Sequence, residues 1–194
     1  MTTEHATALI TGASSGIGAV YADRLAARGY DVVLVARRES RLQTLAAQLR
    51  DRYRVSVEIL VADLTEDAGI RAVEEILKNN VAIDTLINNA GTAQMAPFLA
   101  GDIAQHQTIN TLNTTALMRL TYAILPRLAQ NNRGTIVNIA SVLSLHARAG
   151  SALYSATKAW VLNFTRGLQE ARSAFRPCYP QPPRRRSGKF QVCQ

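Results

Sequence analysis

Cysteine is almost missing from this sequence: two among 194 residues, Cys178 and Cys193, both near the end. Residues 1–170 therefore carry neither a disulfide framework nor a cysteine-based metal site. No grouping of His, Cys, Asp or Glu has metal-ligand spacing either, so no metal is expected. Apolar runs are short. None approaches the roughly 18 residues that a membrane-spanning helix needs. The opening Met1-Thr-Thr-Glu-His-Ala6 lacks the basic-then-apolar order of a secretory leader. A cytoplasmic protein without a membrane association is the expectation.

Proline is scarce and unevenly placed. Four of the six prolines (Pro177, Pro180, Pro182 and Pro183) fall in the last 24 residues, as do six of the 22 Lys and Arg and none of the Asp and Glu. The net charge of +8 thus belongs mainly to the tail, and the body is close to neutral. This division predicts one domain over residues 1–173 and a basic, Pro/Arg-rich, disordered tail over 174–194. Arg184-Arg-Arg186 could attract nucleic acid or an anionic surface. Three adjacent arginines without aromatic partners or a folded basic face more simply describe a solvated tail, so no nucleic-acid partner is expected.

In the body, apolar runs alternate with amphipathic stretches. Strands are predicted over 6–10, 31–36, 55–62, 85–88 and 134–140. Helices are predicted over 16–28, 40–52, 66–79, 102–130 (bent in its first half) and 154–173. Continuous apolar strands joined by helices require crossover connections, hence a parallel sheet covered on both faces.

Between the first strand and the first helix stands Thr11-Gly-Ala-Ser-Ser-Gly-Ile-Gly18. Glycines at 12, 16 and 18 permit a tight turn and a close backbone approach to a pyrophosphate at the positive end of the helix. The spacing is related to, but distinct from, the G-x-G-x-x-G fingerprint. Gly12, Ser14, Ser15, Gly16, Ile17 and Gly18 are the candidate cofactor contacts here. At the end of strand two, where an acidic residue would bond a ribose 2′-hydroxyl, the chain has Ala36-Arg37-Arg38. Arginine pairs with a 2′-phosphate, so NADP(H) is favoured over NAD(H) with Arg37 as the contact, and Arg38 is expected to be solvated at the head of a helix. Asp63, after strand three, either orients the adenine or starts the next helix.

Tyr154 and Lys158 lie four apart at the head of the last predicted helix and share a face. Ser141 follows strand five. In a doubly wound sheet the ligand crevice lies outside the carboxyl ends of the strands, where Ser141, the glycine turn and this helix converge. A phenol titrates near pH 10, so Tyr154 becomes a useful base near neutrality only beside a stabilising cation, which Lys158 can supply. His146 and Arg148, between Ser141 and Tyr154, either touch substrate or face solvent.

With Thr11-Gly-x-x-x-Gly-Ile-Gly18, Asn88-Asn-Ala-Gly91, Asn113 ahead of Leu125-Pro126, Ser141 after Ile-Val-Asn-Ile-Ala, and Tyr154-Ser-Ala-Thr-Lys158, the chain resembles the classical short-chain dehydrogenase/reductase family over about residues 5–170. The resemblance implies a Rossmann-like, doubly wound α/β fold. It implies Tyr154 as general acid/base, Lys158 on the nicotinamide ribose, Ser141 orienting the substrate oxygen and Asn113 supporting a water-linked proton path. Asn113 fits the family's spacing better than its neighbour Asn110. Asn89, Ala90 and Gly91 are implied to pass near the cofactor. A small alcohol or carbonyl substrate and homo-oligomerisation through the two long helices are implied as well.

After the last helix the family continues with further strands, whereas this chain turns to its Pro/Arg-rich tail. A truncated or frame-shifted member lacking the last one or two strands is expected, with strand five as an exposed edge. Two functions follow: alcohol/carbonyl oxidoreduction by hydride transfer, or a catalytically silent protein that binds the dinucleotide without turnover.

Overall fold

Six strands, β1 (Thr7–Thr11), β2 (Asp31–Ala36), β3 (Val57–Val61), β4 (Ile83–Asn88), β5 (Gly134–Asn138) and β6 (Phe190–Cys193), pair in parallel in the order β3-β2-β1-β4-β5-β6. This is a computed structural model, and it describes residues 6–174 and 190–193. Helices α1 (Gly16–Ala26), α2 (Glu39–Tyr53), α3 (Asp67–Asn79), α4 (Ile103–Asn110), α5 (Ala116–Gln130) and α6 (Ala152–Ala174) connect the strands.

The strands are apolar throughout because both faces are covered. Alternate residues of a strand point to opposite faces. Ala8, Ile10, Val32 and Leu34 accordingly join a core layer with Leu25 of α1 and Leu42 and Leu49 of α2. Their neighbours Leu9, Val33 and Val35 join the opposite layer with Val73 and Leu77 of α3 and Leu120 and Ile124 of α5. Strand order reverses between β1 and β4. The connections leave the carboxyl ends of these two strands in opposite directions, and a crevice opens between them.

The predicted bent helix over 102–130 is α4, a π-helical turn over Thr111–Thr115, and α5. Asp102 starts it by accepting the Gln105 N–H at 2.7 Å, a side-chain cap for one of the donors that the first turn leaves unpaired. β4 begins two residues earlier than its apolar run suggests, and α6 two residues before Tyr154.

The expected exposed edge at β5 is corrected. Gly134–Val137 pairs with Phe190–Cys193, with Ile136 opposite Val192. Phe-Gln-Val-Cys has no continuous apolar run. It does consist mostly of residues suited to a pleated strand, and β5 offers a ladder of backbone groups that need partners. The rest of the predicted disordered tail, including Arg184-Arg-Arg186, lies outside the described residues. No helix among the described residues is long and apolar enough to cross a membrane.

Ile124 is fully buried under the sheet while Met118 on the same helix is exposed. Ile124→Ala should cost about 2–5 kcal/mol in a urea denaturation followed by circular dichroism. Val81→Ala, at a side chain 76% exposed between α3 and β4, should stay within about 0.5 kcal/mol of the parent.

Candidate active site

The crevice at the strand-order reversal is a cleft of about 310 Å³. Its base is set by a hydrogen-bonded junction between β1 and β4. Thr11 Oγ1 donates to the Ile87 carbonyl and accepts the N–H groups of Asn89 and Ala90, both at 3.0 Å. In return, the Asn89 amide donates to the carbonyls of Thr11 and Gly12 at 3.0 and 3.3 Å. Asn89, Ala90 and Gly91 line the cleft, with the Asn89 side chain spent on the turn itself.

The three glycines of the turn do different work. A β-carbon on Gly18 would stand 2.5 Å from the Gly12 carbonyl oxygen, so Gly18 lets α1 settle onto the turn. Gly12 lines the cleft, whereas Gly16, at φ +56°, would meet nothing within 4 Å and leaves the head of α1 open. Ser15 caps α1 without a side-chain hydrogen bond, and the first turn carries no acidic residue. The helix therefore presents unpaired N–H groups and the positive end of its dipole outward.

Ser14, Ser15 and Ile17 line the same cleft, facing Arg37, Arg38 and Asp63. Arg38, expected to be solvated at a helix head, instead reaches back across the cleft: its Nη2 donates to Ser14 Oγ at 3.0 Å and Ser15 Oγ at 2.8 Å. Arg37 stands 3.5 Å from the Asp63 carboxylate. Asp63 Oδ1 accepts both the N–H and the hydroxyl of Thr65, which closes a turn ahead of α3, whose N-cap is Glu66 and not Asp63. Burial raises the Asp63 pKa, but the Thr65 donors and the Arg37 charge outweigh that effect and hold the carboxyl below its ordinary value.

A dinucleotide fits this site by the chemistry of its donors. An open helix head, two seryl hydroxyls and two guanidinium groups surround a cleft whose remaining walls include Leu64 and Leu112. Anionic and apolar parts of such a ligand thus each find a matching wall.

Beyond Gly91 the other candidate residues draw together. A β-carbon on Gly91 would lie 3.2 Å from Asn113 Oδ1 and 3.4 Å from Lys158 Nζ. Asn113 sits in the π-helical turn, 1% exposed, and Asn110 is exposed. The Asn113 amide donates to the Thr92 carbonyl and Thr157 Oγ1 and accepts the Thr92 N–H, with all three distances between 2.9 and 3.0 Å. Thr92 and Thr157 are the supports that the sequence did not single out. Thr157 lies inside the Tyr-Ser-Ala-Thr-Lys stretch, yet nothing in a linear pattern shows what its hydroxyl holds.

Lys158, 5% exposed, donates from Nζ to the Ile139 carbonyl at 2.7 Å, just past β5. Its Nζ is 6.0 Å from the centroid of the Tyr154 ring. Burial lowers the lysine pKa. Ser141 Oγ accepts the Leu143 N–H at 3.2 Å and caps a short 3₁₀ turn over Val142–Ser144. Ser144 Oγ donates to the Lys158 carbonyl at 2.9 Å, which ties that turn to α6. Among the described residues, neither the Ser141 nor the Tyr154 hydroxyl donates a hydrogen bond within the protein, so both protons remain available to a ligand. No cluster of three or more His, Cys, Asp and Glu able to hold a metal occurs among the described residues.

Residues 6–174 match the family model described as short chain dehydrogenase. The chain belongs to that family. An uncharacterized oxidoreductase of Staphylococcus saprophyticus is 36% identical over 164 residues, covering 84% of this chain and 70% of the relative. The bulky-bulky ketone specific alcohol dehydrogenase of Comamonas testosteroni has a TM-score of 0.86 at 43% identity, covering 89% of this chain and 69% of its own. A short-chain dehydrogenase of Sphingobium yanoikuyae, solved in complex with NADPH, has a TM-score of 0.85 at 51% identity, covering 87% of this chain and 66% of its own. Other curated relatives are spanned over only 50–64% of their length.

Desolvation of Lys158 gives a pH signature of stability. With its folded pKa below the unfolded value near 10.4, the native chain releases this proton first. Stability rises with pH wherever the unfolded state binds more protons. Urea denaturation between pH 7 and 10 should therefore show the parent gaining stability relative to Lys158→Met as pH increases, and a constant difference would contradict the buried placement.

Proposed function

We propose that this short chain dehydrogenase is an NADP(H)-dependent oxidoreductase that interconverts a carbonyl compound and its alcohol, with Tyr154 as the general acid/base. The observation that carries the reading is the placement of buried Lys158. It is fixed to the end of β5, beside the Tyr154 ring, and close to Gly91 and Asn113 at the far end of the cleft.

When bound, a reduced nicotinamide dinucleotide supplies the hydride for the carbonyl carbon. Tyr154 gives its hydroxyl proton to the carbonyl oxygen as negative charge develops there. The ammonium of Lys158 stabilises the phenolate left behind, and a solvent proton restores the phenol. Ser141 orients the same oxygen with its unspent hydroxyl proton. Asn113, locked between Thr92 and Thr157, holds the wall behind Lys158 along which that proton returns. One carbonyl, one hydride and one proton give one alcohol, and the reverse reaction follows the same groups.

The preference for NADP(H) rests on Ala36-Arg37-Arg38. No carboxylate ends β2 to bond a 2′-hydroxyl, and two guanidinium groups flank the cleft beside Ser14 and Ser15. Arg37 and Arg38 would share a 2′-phosphate. Association into homo-oligomers belongs to the same proposal and is supported by the exposed Met118 and Tyr122 of α5 and Trp160 of α6.

A second reading is dinucleotide binding without turnover. It is favoured by the composition of the cleft, since the glycine turn, Ser14, Ser15, Arg37 and Arg38 would bind the dinucleotide whether or not the Tyr154 end turns over.

Tyr154→Phe should lower NADPH-dependent carbonyl reduction by about 10²–10⁴-fold with NADPH affinity unchanged in a fluorescence titration. Saturable NADPH binding with no turnover in the parent across a carbonyl panel would select the second reading. Arg38→Glu should weaken NADPH by about 10–100-fold, the scale of a charge-assisted pair, and leave NADH within a few-fold.

A further inference from the structure

Lys158 is tied at both ends to the stretch of chain that carries Ser141. Its Nζ donates to the carbonyl of Ile139, ahead of Ser141, and its own carbonyl accepts the hydroxyl of Ser144, beyond Ser141. The second tie passes through one oxygen atom. Ser144 Oγ donates to the Lys158 carbonyl at 2.9 Å and accepts the backbone N–H of Ser141 at 3.2 Å. It thereby joins the backbone of Ser141 to the helix that carries Tyr154 and Lys158. A backbone carbonyl has two lone pairs, so that of Lys158 can take this bond besides its helical one.

Apolar packing holds the 3₁₀ turn over Val142–Ser144 only in part. Leu143 is half-buried, but Val142 and Leu145 are 80% and 64% exposed. The backbone bonds from Ser144 N–H to the Ser141 carbonyl and from Leu145 N–H to the Val142 carbonyl shape the turn without fastening it to another element. Ser141 Oγ accepts from Leu143 within the same turn. Among the described residues, Ser144 provides the side-chain hydrogen bond between this turn and α6.

The reaction needs the Ser141 and Tyr154 hydroxyls on one substrate oxygen. Ser141 stands beyond β5 and Tyr154 on α6, so the distance between them depends on how the turn docks on the helix. Without the Ser144 hydroxyl, Ile139 still holds the Lys158 ammonium, and the Tyr154–Lys158 pair keeps its place on α6. Ser141 loses its aim. A misplacement of about 1 Å can cost about 10²-fold in rate. The loss falls on the transition state, where charge develops on the substrate oxygen, more than on substrate binding.

We propose that Ser144 is a positioning residue: by joining the Ser141 N–H to the Lys158 carbonyl, it sets the Ser141 hydroxyl where it and the Tyr154 hydroxyl meet one carbonyl oxygen. This rests on the reading of Ser141 and Tyr154 as the reacting end of the site. Ser144 acts through Ser141 and touches neither substrate nor cofactor.

NADPH-dependent reduction of 1-phenyl-1-propanone, benzaldehyde and cyclohexanone is measured on the full chain, with the thermal midpoint and NADPH titration of every variant. Ser144→Ala should lower kcat by about 10–100-fold, with carbonyl KM and NADPH affinity within about 3-fold of the parent. Ser144→Thr keeps the hydroxyl and should restore kcat to within about 3-fold. In the Ser141→Ala background, Ser144→Ala should change kcat by less than about 2-fold, the non-additivity of a residue that acts through another. A purely structural role would instead lower the thermal midpoint and reduce kcat by the same factor in both backgrounds. That result, or parental kcat in Ser144→Ala, overturns the proposal and leaves the oxidoreductase reading intact. A parent that reduces none of these carbonyls counts against that reading, and amide hydrogen exchange then decides on the tether. Protection of the Ser141 N–H that is lost in Ser144→Ala and kept in Ser144→Thr supports it, and equal protection in Ser144→Ala overturns it.

Discussion

Thr11 and Asn89 hold β1 and β4 together where the sheet reverses its order, and the geometry of the whole cleft hangs from that junction. One threonyl hydroxyl joins the Ile87 carbonyl to two N–H groups beyond β4, and one amide holds two carbonyls of the glycine turn. These are buried or half-buried bonds between strands far apart in sequence. Leaving any one partner unmatched costs more than the bond itself contributes. The junction therefore specifies where the turn after β1 sits relative to Gly91. That in turn fixes the distance between the open head of α1 and the Asn113–Lys158 end.

A second polar system runs deeper. Asn88 donates to Thr121 of α5 and Asn138 of β5, and Asn138 donates to Thr165 of α6. Two strands and two helices are thereby registered by buried amides and hydroxyls, in a region that apolar packing alone could accommodate with some slip. Buried networks of this kind favour one arrangement over near neighbours, and here Asn88 Oδ1 is left without a hydrogen-bond partner. Together the two systems explain why a site assembled from seven separate stretches of chain can have a defined geometry.

Features carried by local pattern were legible in the sequence. Period and punctuation gave the strands and helices, the glycine turn announced an open helix head, and the four-residue spacing of Tyr154 and Lys158 placed both on one face. Features that depend on long-range geometry were hidden. Arg38 reads as a solvated residue until the turn carrying Ser14 and Ser15 is brought within its reach. Thr92 and Thr157 look ordinary until Asn113 is buried between them. The four residues of β6 carry no local strand signal, because a short strand of mixed polarity is decided by the ladder at β5, which no window of local sequence contains.

The π-helical turn does more than hold Asn113. An α-helix advances 100° per residue, so each residue accommodated in a wider turn shifts the phase of everything after it. Here the rod before the turn contacts α6, and the rod after it packs on α3. One nearly continuous helix thus addresses two partners from two different angular settings. The two packing contacts are built into that phase offset, and the helix could not keep both alignments if the rod were wound uniformly.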